Sequence, residues 1–290
     1  MLEVDRIAKR NADVVACQDV SFTVPPGSVV GLAGGGSSTV LRIASGLLAP
    51  DAGEVRLAGE SVTIANRARL GYLPAAAGLY QRMHVHDHLV YLAELRGAPV
   101  NDAHRAADFW LARFGLRDRY AARVRTLDAA AQRRLHLAAV LVTGPAALVL
   151  DEPFAGLDRA TADLLVEVLR DRTAAGVPVL LSSRDLDLVE RVCDRVCVLH
   201  NGRVVAEGAV RDLTGRHECV VTAPAAAPGW TDSLPGVTVL AVHNGRTRLT
   251  LSPGADDQAV LAAARATGPV LEFTVRRAGL ADDFGAVVAE

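Results

Sequence analysis

Ala146-Ala147-Leu148-Val149-Leu150-Asp151-Glu152-Pro153-Phe154-Ala155-Gly156-Leu157-Asp158 is the stretch from which the architecture follows. An unbroken apolar run with no alternation reads as a strand covered on both faces, and here it ends in two adjacent carboxylates. Proline and glycine then interrupt the backbone, and Asp158 stands where an N-cap would open a helix over residues 160–174. Downstream, the pattern repeats as a strand (178–182), a helix near 185–192 and strands at 195–199 and 203–206. Upstream, Val20 to Val24 alternates in strand fashion, Pro25-Pro26-Gly27 turns, and Ser28 to Ala33 reads as a buried strand. Gly34-Gly35-Gly36 and Ser37-Ser38-Thr39 then lead into a helical run, Val40 to Ala44. Strands follow at 53–57 and 69–73. Residues 84–141 carry a helical period, with Leu89, Leu92, Leu95, Trp110, Leu111 and Phe114 spaced for one buried face. Strands alternating with helices predict a mainly parallel α/β sheet. After Leu213-Thr214-Gly215 the pattern changes to short strands, a hairpin signal at Asn244-Gly245 and helices at 259–266 and from Leu280, which reads as a small α+β unit. The predicted domains are therefore residues 1–215 and 216–290.

Composition narrows the function classes. The 290 residues are 50% hydrophobic and 22% charged, which fits a folded globular chain. No apolar run approaches the roughly 20 residues of a membrane span, and the N-terminal Met1-Leu2-Glu3-Val4-Asp5-Arg6 lacks a signal peptide's apolar core. A net charge of −2 argues against nucleic acid as a partner. Cys17, Cys193, Cys197 and Cys219 form no Cys-x-x-Cys pair, which points to a reduced, cytoplasmic protein with packing thiols. Lys9 is the sole lysine, and it is expected to precede the first strand.

Several runs together resemble the ATP-binding cassette (ABC) transporter ATPases: Val29-Val30-Gly31-Leu32-Ala33-Gly34, Gly46-Leu47-Leu48-Ala49-Pro50-Asp51-Ala52-Gly53-Glu54-Val55, Gly71-Tyr72-Leu73-Pro74, Leu148 to Asp158, and Val198-Leu199-His200-Asn201-Gly202-Arg203. The end of the chain, Arg277-Ala278-Gly279-Leu280-Ala281-Asp282-Asp283-Phe284, resembles the domain appended to daunorubicin-resistance-type (ABC-2) drug exporters. The resemblance implies a P-loop NTPase-like cassette with a helical subdomain over about 84–141, followed by a small C-terminal α+β domain.

It also implies a set of positions around ATP, and most are altered here. The phosphate loop of such proteins runs G-x-x-x-x-G-K-[ST], with backbone N–H groups and a lysine on the phosphates and a hydroxyl on Mg²⁺. In this chain the segment Gly34, Gly35, Gly36, Ser37, Ser38, Thr39 is three residues short of that pattern, roughly 10 Å of contour, and Ser37 stands in the lysine position. The glycines read either as a weak anion nest or as a plain strand-to-helix turn. Asn11 replaces the adenine-stacking aromatic, Ala75 the glutamine that senses Mg²⁺, and Arg184 the switch histidine. The signature that faces the partner's γ-phosphate reads Leu127-Asp128-Ala129-Ala130-Ala131. There Asp128 would oppose phosphate by like charge, or cap the helix that follows it.

Asp151 and Glu152 match the catalytic carboxylate pair, and Asp158 matches the loop that packs across the cassette dimer. These carboxylates can equally cap neighbouring backbone, so they are expected to be vestigial. Asp151 and Ser38 would hold Mg²⁺ only if ATP binds. No cofactor is expected on the leading reading, a pseudo-ATPase with a scaffold or regulatory role. On the alternative, an ATP-driven exporter motor, the cofactor is Mg-ATP. By resemblance the partners are an integral-membrane permease and a second cassette, either another copy or an intact ABC ATPase. The location is the cytoplasmic face of the cell membrane. Two weaker signals remain. His84, His86 and His88 offer a metal pair at His84 and His88, but the resemblance implies instead that this stretch opens the helical subdomain, and Arg133-Arg134 reads as a solvated helix face.

Overall fold

The N-terminal segment alternates only in part, because a bulge intervenes. Leu2 and Val4 point into the core, but Arg6 takes a left-handed φ of 46°, so the next inward residue is Ile7. The computed structural model describes residues 1–11, 14–75, 78–214, 217–227, 229–252 and 255–289. In it β1 (Leu2–Asn11) pairs antiparallel with both β2 (Val14–Val24) and β4 (Ala52–Leu57). A short β5 (Glu60–Ser61) completes a four-stranded sheet in the order β2-β1-β4-β5. Lys9 therefore lies within the first strand and not before it. Its Nζ sits 2.6 Å from Asp51 Oδ1, tying β1 to the segment that leads into β4.

The second sheet is built from the long apolar runs. It contains β3 (Val29–Gly34), β6 (Leu70–Leu73), β7 (Ala147–Leu150), β8 (Val179–Ser182), β9 (Arg195–His200) and β10 (Arg203–Ala209). Their order is β10-β9-β3-β8-β7-β6, with β3 parallel to β8 and β9, and β7 parallel to β6 and β8. All four residues of β7 and all four of β8 are buried, as strands covered on both faces require.

Helix α1 (Ser37–Ala44) packs against β3, β7 and β8, and its Val40, Leu41 and Ile43 join Leu2, Ile7, Val20, Phe22 and Leu32 in one core between the two sheets. The helical insert comprises α2 (Val85–Leu95), α3 (Val100–Arg113) and α4 (Ala129–Leu141), packed on one another, with α4 also against β6. After β7 come α5 (Arg159–Ala174) and, beyond β8, α6 (Leu186–Val192).

The chain divides into two compact units, Met1–Gly208 with Ala286–Glu290, and Ala209–Gly285. The division falls after Gly208, within the last residues of β10, whereas the sequence reading set it at residue 215, and α7 (Val210–Leu213) follows β10 directly. The second unit holds an antiparallel sheet in the order β12-β13-β11-β14, formed by β11 (His217–Thr222), β12 (Val237–His243), β13 (Arg246–Leu251) and β14 (Glu272–Arg277). Helix α8 (Asp257–Thr267) packs against β11, and α9 (Leu280–Ala289) ends the chain. Val221, Leu249, Leu251 and Val260 form its core. Glu218 is buried in this unit and accepts from both Arg248 and Arg276, so its charge is compensated inside the protein. Among the described residues no helix is long and apolar enough to cross a membrane.

Candidate functional site

The tip of β7 gathers the polar residues. Asp151 follows the last residue of β7 and is buried, and its Oδ1 accepts two hydroxyls: Ser182 Oγ from the end of β8 at 2.7 Å and Ser38 Oγ from the first turn of α1 at 3.1 Å. Ser182 Oγ also accepts the Glu152 backbone N–H at 2.9 Å, so one hydroxyl joins both carboxylate residues to the neighbouring strand. Glu152 has a left-handed φ of 47°, a conformation that side-chain-bearing residues adopt at a cost and only where the surroundings hold them. The Arg133 guanidinium supplies part of that hold by donating to the Glu152 carbonyl at 2.6 Å. Burial raises the Glu152 carboxyl above the ordinary range, and Asp151 and Asp185 add to this, while the Arg184 guanidinium and backbone N–H pull it back. Burial lowers the Arg133 pKa, and the fields of Asp151 and Glu152 oppose that shift.

Arg133 is therefore half-buried against the carboxylate pair and does not belong to a solvated face. Sequence periodicity missed it because its partner is a backbone carbonyl in a different element. Ser182 was legible only as the end of the strand read at 178–182, and nothing in the sequence assigned it the bridging hydroxyl.

The glycine turn is tightly closed. Only Gly35 and Gly36 separate β3 from α1, and Gly34 and Gly36 sit at φ 98° and 93°. A β-carbon on Gly34 would stand 1.9 Å from the Leu199 carbonyl oxygen, and one on Gly36 would stand 2.3 Å from that of Ala16. Gly35 is the exception, being exposed and with nothing within 4 Å of where a β-carbon would go. Ser37, in the position the resemblance assigns to lysine, is buried and donates its hydroxyl to the Gly34 carbonyl at 2.6 Å, closing the turn on itself. Ser38 is exposed and faces Asp151, and Thr39 is half-buried. The turn thus sets the Ser38 hydroxyl on the Asp151 carboxylate and offers phosphate no ammonium group.

The remaining positions are dispersed. Asp128 is the N-cap of α4, accepting the Ala131 N–H at 2.7 Å, and Ala129 and Ala130 put exposed methyl groups on the first turn. Asp158 caps α5 in the same way, through Thr161 N–H at 2.7 Å, and this hydrogen bond holds its pKa below the usual carboxylate value. Among the described residues neither shares a hydrogen bond with the Asp151 cluster. Asn11 ends β1 opposite Val14, and its side chain lies outside the described part of the structure. Ala75 is exposed just after β6, and residues 76 and 77 lie outside the described residues. Arg184 is exposed beside Glu152. Replacing Asp128 by alanine is expected to cost about 1 kcal/mol, the usual value of a lost cap, read as a lower urea midpoint at unchanged slope.

The histidines do not share a site. His84 is exposed and lies 3.3 Å from Asp87, His86 stacks on Tyr120 with centroids 4.0 Å apart, and His88 is buried. Among the described residues no three potential ligands are grouped to hold a metal ion. All four cysteines are free and buried, and burial pushes the Cys197 thiol up to about 12 and that of Cys219 to about 11.

Comparison with known proteins bears on both fold and family. Residues 17–155 match the family model described as ABC transporter. An ABC transporter ATP-binding protein of Alkalihalophilus pseudofirmus is 32% identical over 88% of this chain and 97% of its own length. The Nod factor export ATP-binding protein I of Paraburkholderia xenovorans is 35% identical over 72% of this chain and 70% of that protein. Among solved structures, an ATP-binding subunit of an ABC transporter superposes with a TM-score of 0.68 at 28% identity, covering 73% of this chain and 91% of that one. The nucleotide-binding cassette fold is thereby shown.

Proposed function

This chain belongs to the ABC transporter ATP-binding family, and from that premise we propose that it is a pseudo-ATPase, a cassette subunit that neither holds nor hydrolyses ATP and that serves an exporter complex by its shape and docking surface. The observation that carries the proposal is the closed turn between β3 and α1, in which Ser37 bonds back to Gly34. Magnitudes support it. A charge-assisted hydrogen bond contributes about 1.5–3 kcal/mol, and stacking of a base on an aromatic ring about 1–3. Micromolar binding amounts to about 8 kcal/mol in total. Without the lysine, several loop amides and the aromatic stack, about 5 kcal/mol or more is missing, which leaves affinity in the millimolar range or weaker.

The proposed setting is an ABC-2 type exporter at the cytoplasmic face of the membrane. The partners would be an integral-membrane permease and a second cassette, either another copy or an intact ATPase. In a head-to-tail pair the Asp128 segment would face the partner's nucleotide with negative charge, and the short turn would face the partner's signature, so neither composite site would be complete. Export of Nod factor is named for the relatives and is not carried over to this chain.

One observation favours the second reading, a working motor. The Ser38 hydroxyl lies on Asp151, where the two could share a Mg²⁺. Phosphate release from Mg-ATP, measured on the purified chain, separates the readings. The proposal expects a rate equal to that of a Glu152→Gln control. A rate at least tenfold above that control would establish the motor.

A further inference from the structure

The segment that opens α2 and the one that leads into α4 lie side by side. His84 faces Arg123 across an isolated antiparallel bridge, with the Val124 N–H on the Met83 carbonyl and the Val85 N–H on the Ala122 carbonyl. One step further, the Arg125 N–H donates to the Gln81 carbonyl at 3.0 Å, which sets Arg125 beside Arg82. A single helical turn at Arg117–Arg119 precedes this pairing, and the Tyr120 carbonyl that follows it accepts the His86 N–H. Five arginines, Arg82, Arg117, Arg119, Arg123 and Arg125, therefore crowd one end of the helical insert, and all five are exposed. Asp87 and Asp118 are the only carboxylates in residues 80–87 and 117–126, and Asp87 is engaged by His84 at 3.3 Å.

The charge of this patch is not balanced from within. Arg69, Arg105 and Arg113, elsewhere in the first unit, each meet a carboxylate, whereas among the described residues none of the five guanidiniums does. Like charges side by side repel, so a cluster of this density points to an anion outside the chain. Guanidinium groups match phosphate in geometry and charge. Of the large apolar side chains in these two segments only Tyr80 and Tyr120 are exposed, at 49% and 44%. A protein partner would need an apolar centre from which water is expelled, and this surface has none. Arginines bordered by tyrosines suit the headgroup zone of a bilayer, where phosphates meet the cations and the rings settle at the interface. With a net charge of −2 the chain has no general attraction for an anionic membrane, so any such binding is local to a patch of this kind. We propose that the five arginines form a binding surface for the phosphates of anionic membrane lipids, through which the helical insert touches the bilayer directly. Such contact rests on the membrane setting proposed above but not on the loss of ATP hydrolysis, and a chain that released phosphate from Mg-ATP would leave it standing.

Flotation of the full chain with lipid vesicles reads this out. At about 50 mM salt the chain is expected to float with vesicles in which roughly a third of the lipid is phosphatidylglycerol and not with pure phosphatidylcholine, and to be released as salt rises to about 500 mM. The triple variant Arg82→Gln, Arg123→Gln, Arg125→Gln is expected to bind the anionic vesicles about 100-fold more weakly. Its Tm is expected to match the wild type, since none of the three side chains holds a partner. Arg170→Gln, Arg191→Gln, Arg203→Gln removes the same charge from exposed positions elsewhere in the first unit and is expected to keep the affinity within about threefold. Wild-type binding no stronger to anionic than to neutral vesicles would overturn the proposal, as would equal losses in the two triple variants. Displacement from the vesicles by an oligoglutamate peptide at micromolar concentration would overturn it in favour of an acidic protein segment.

Discussion

Replacing Gly34 by alanine is expected to destabilise the chain by about 4 kcal/mol or more. Two costs combine. An alanine at φ 98° occupies a backbone region that costs on the order of 1–3 kcal/mol, and its β-carbon would meet the Leu199 carbonyl at 1.9 Å, inside the pairing of β3 with β9. That carbonyl belongs to a central strand, so it has no room to yield. Gly35→Ala, at the next residue, is expected to change stability by less than about 0.5 kcal/mol, since nothing lies within 4 Å. Urea midpoints for the two variants test the contrast. A tolerated Gly34→Ala would mean that the turn opens easily, and an open turn is what phosphate binding would need.

The second large effect is expected at Asp151. Asp151→Ala should cost about 3 kcal/mol, because the carboxylate oxygen accepts from Ser182 and Ser38 and its loss leaves the buried Ser182 hydroxyl with a missing partner. Ser182→Ala should couple to it by about 1–2 kcal/mol in a double-mutant cycle, since the two share one hydrogen bond. Groups kept for chemistry commonly behave in the opposite way, their removal leaving stability unchanged or raised. Chemical denaturation of the four proteins in the cycle measures both quantities. A stabilised Asp151→Ala variant would point to a carboxylate retained for catalysis.

Most of the α/β unit was legible because its strands are covered on both faces. Runs such as Leu148-Val149-Leu150 and Val179-Leu180-Leu181 carry that burial directly in their composition, and all of these residues are buried. β1 was not legible, because the bulge at Arg6 breaks the period-two pattern between Val4 and Ile7, and a shifted alternation does not read as a strand. At the candidate site the sequence identified the missing lysine, but it gave no direction for the serine in its place. The return bond from Ser37 to Gly34 depends on φ values that only the folded turn displays. Asp128 and Asp158 were readable as caps, because capping is local and the residue type and its place before a helix are both in the sequence. Arg133 was misplaced for the converse reason. Its partner is the Glu152 carbonyl in a different element, and a helical period of polar residues likewise gave no sign that His88 and His136 are buried.

The central claim is that no triphosphate is held between β3 and α1, and thermal unfolding with and without millimolar Mg-ATP tests it most directly. A ligand present at 100 times its Kd adds about 2.7 kcal/mol to stability, which for a domain of this size raises Tm by several degrees, on the order of 5 °C. The account predicts superimposable curves. A reproducible rise of that size that requires Mg²⁺ and disappears in Asp151→Asn would contradict it.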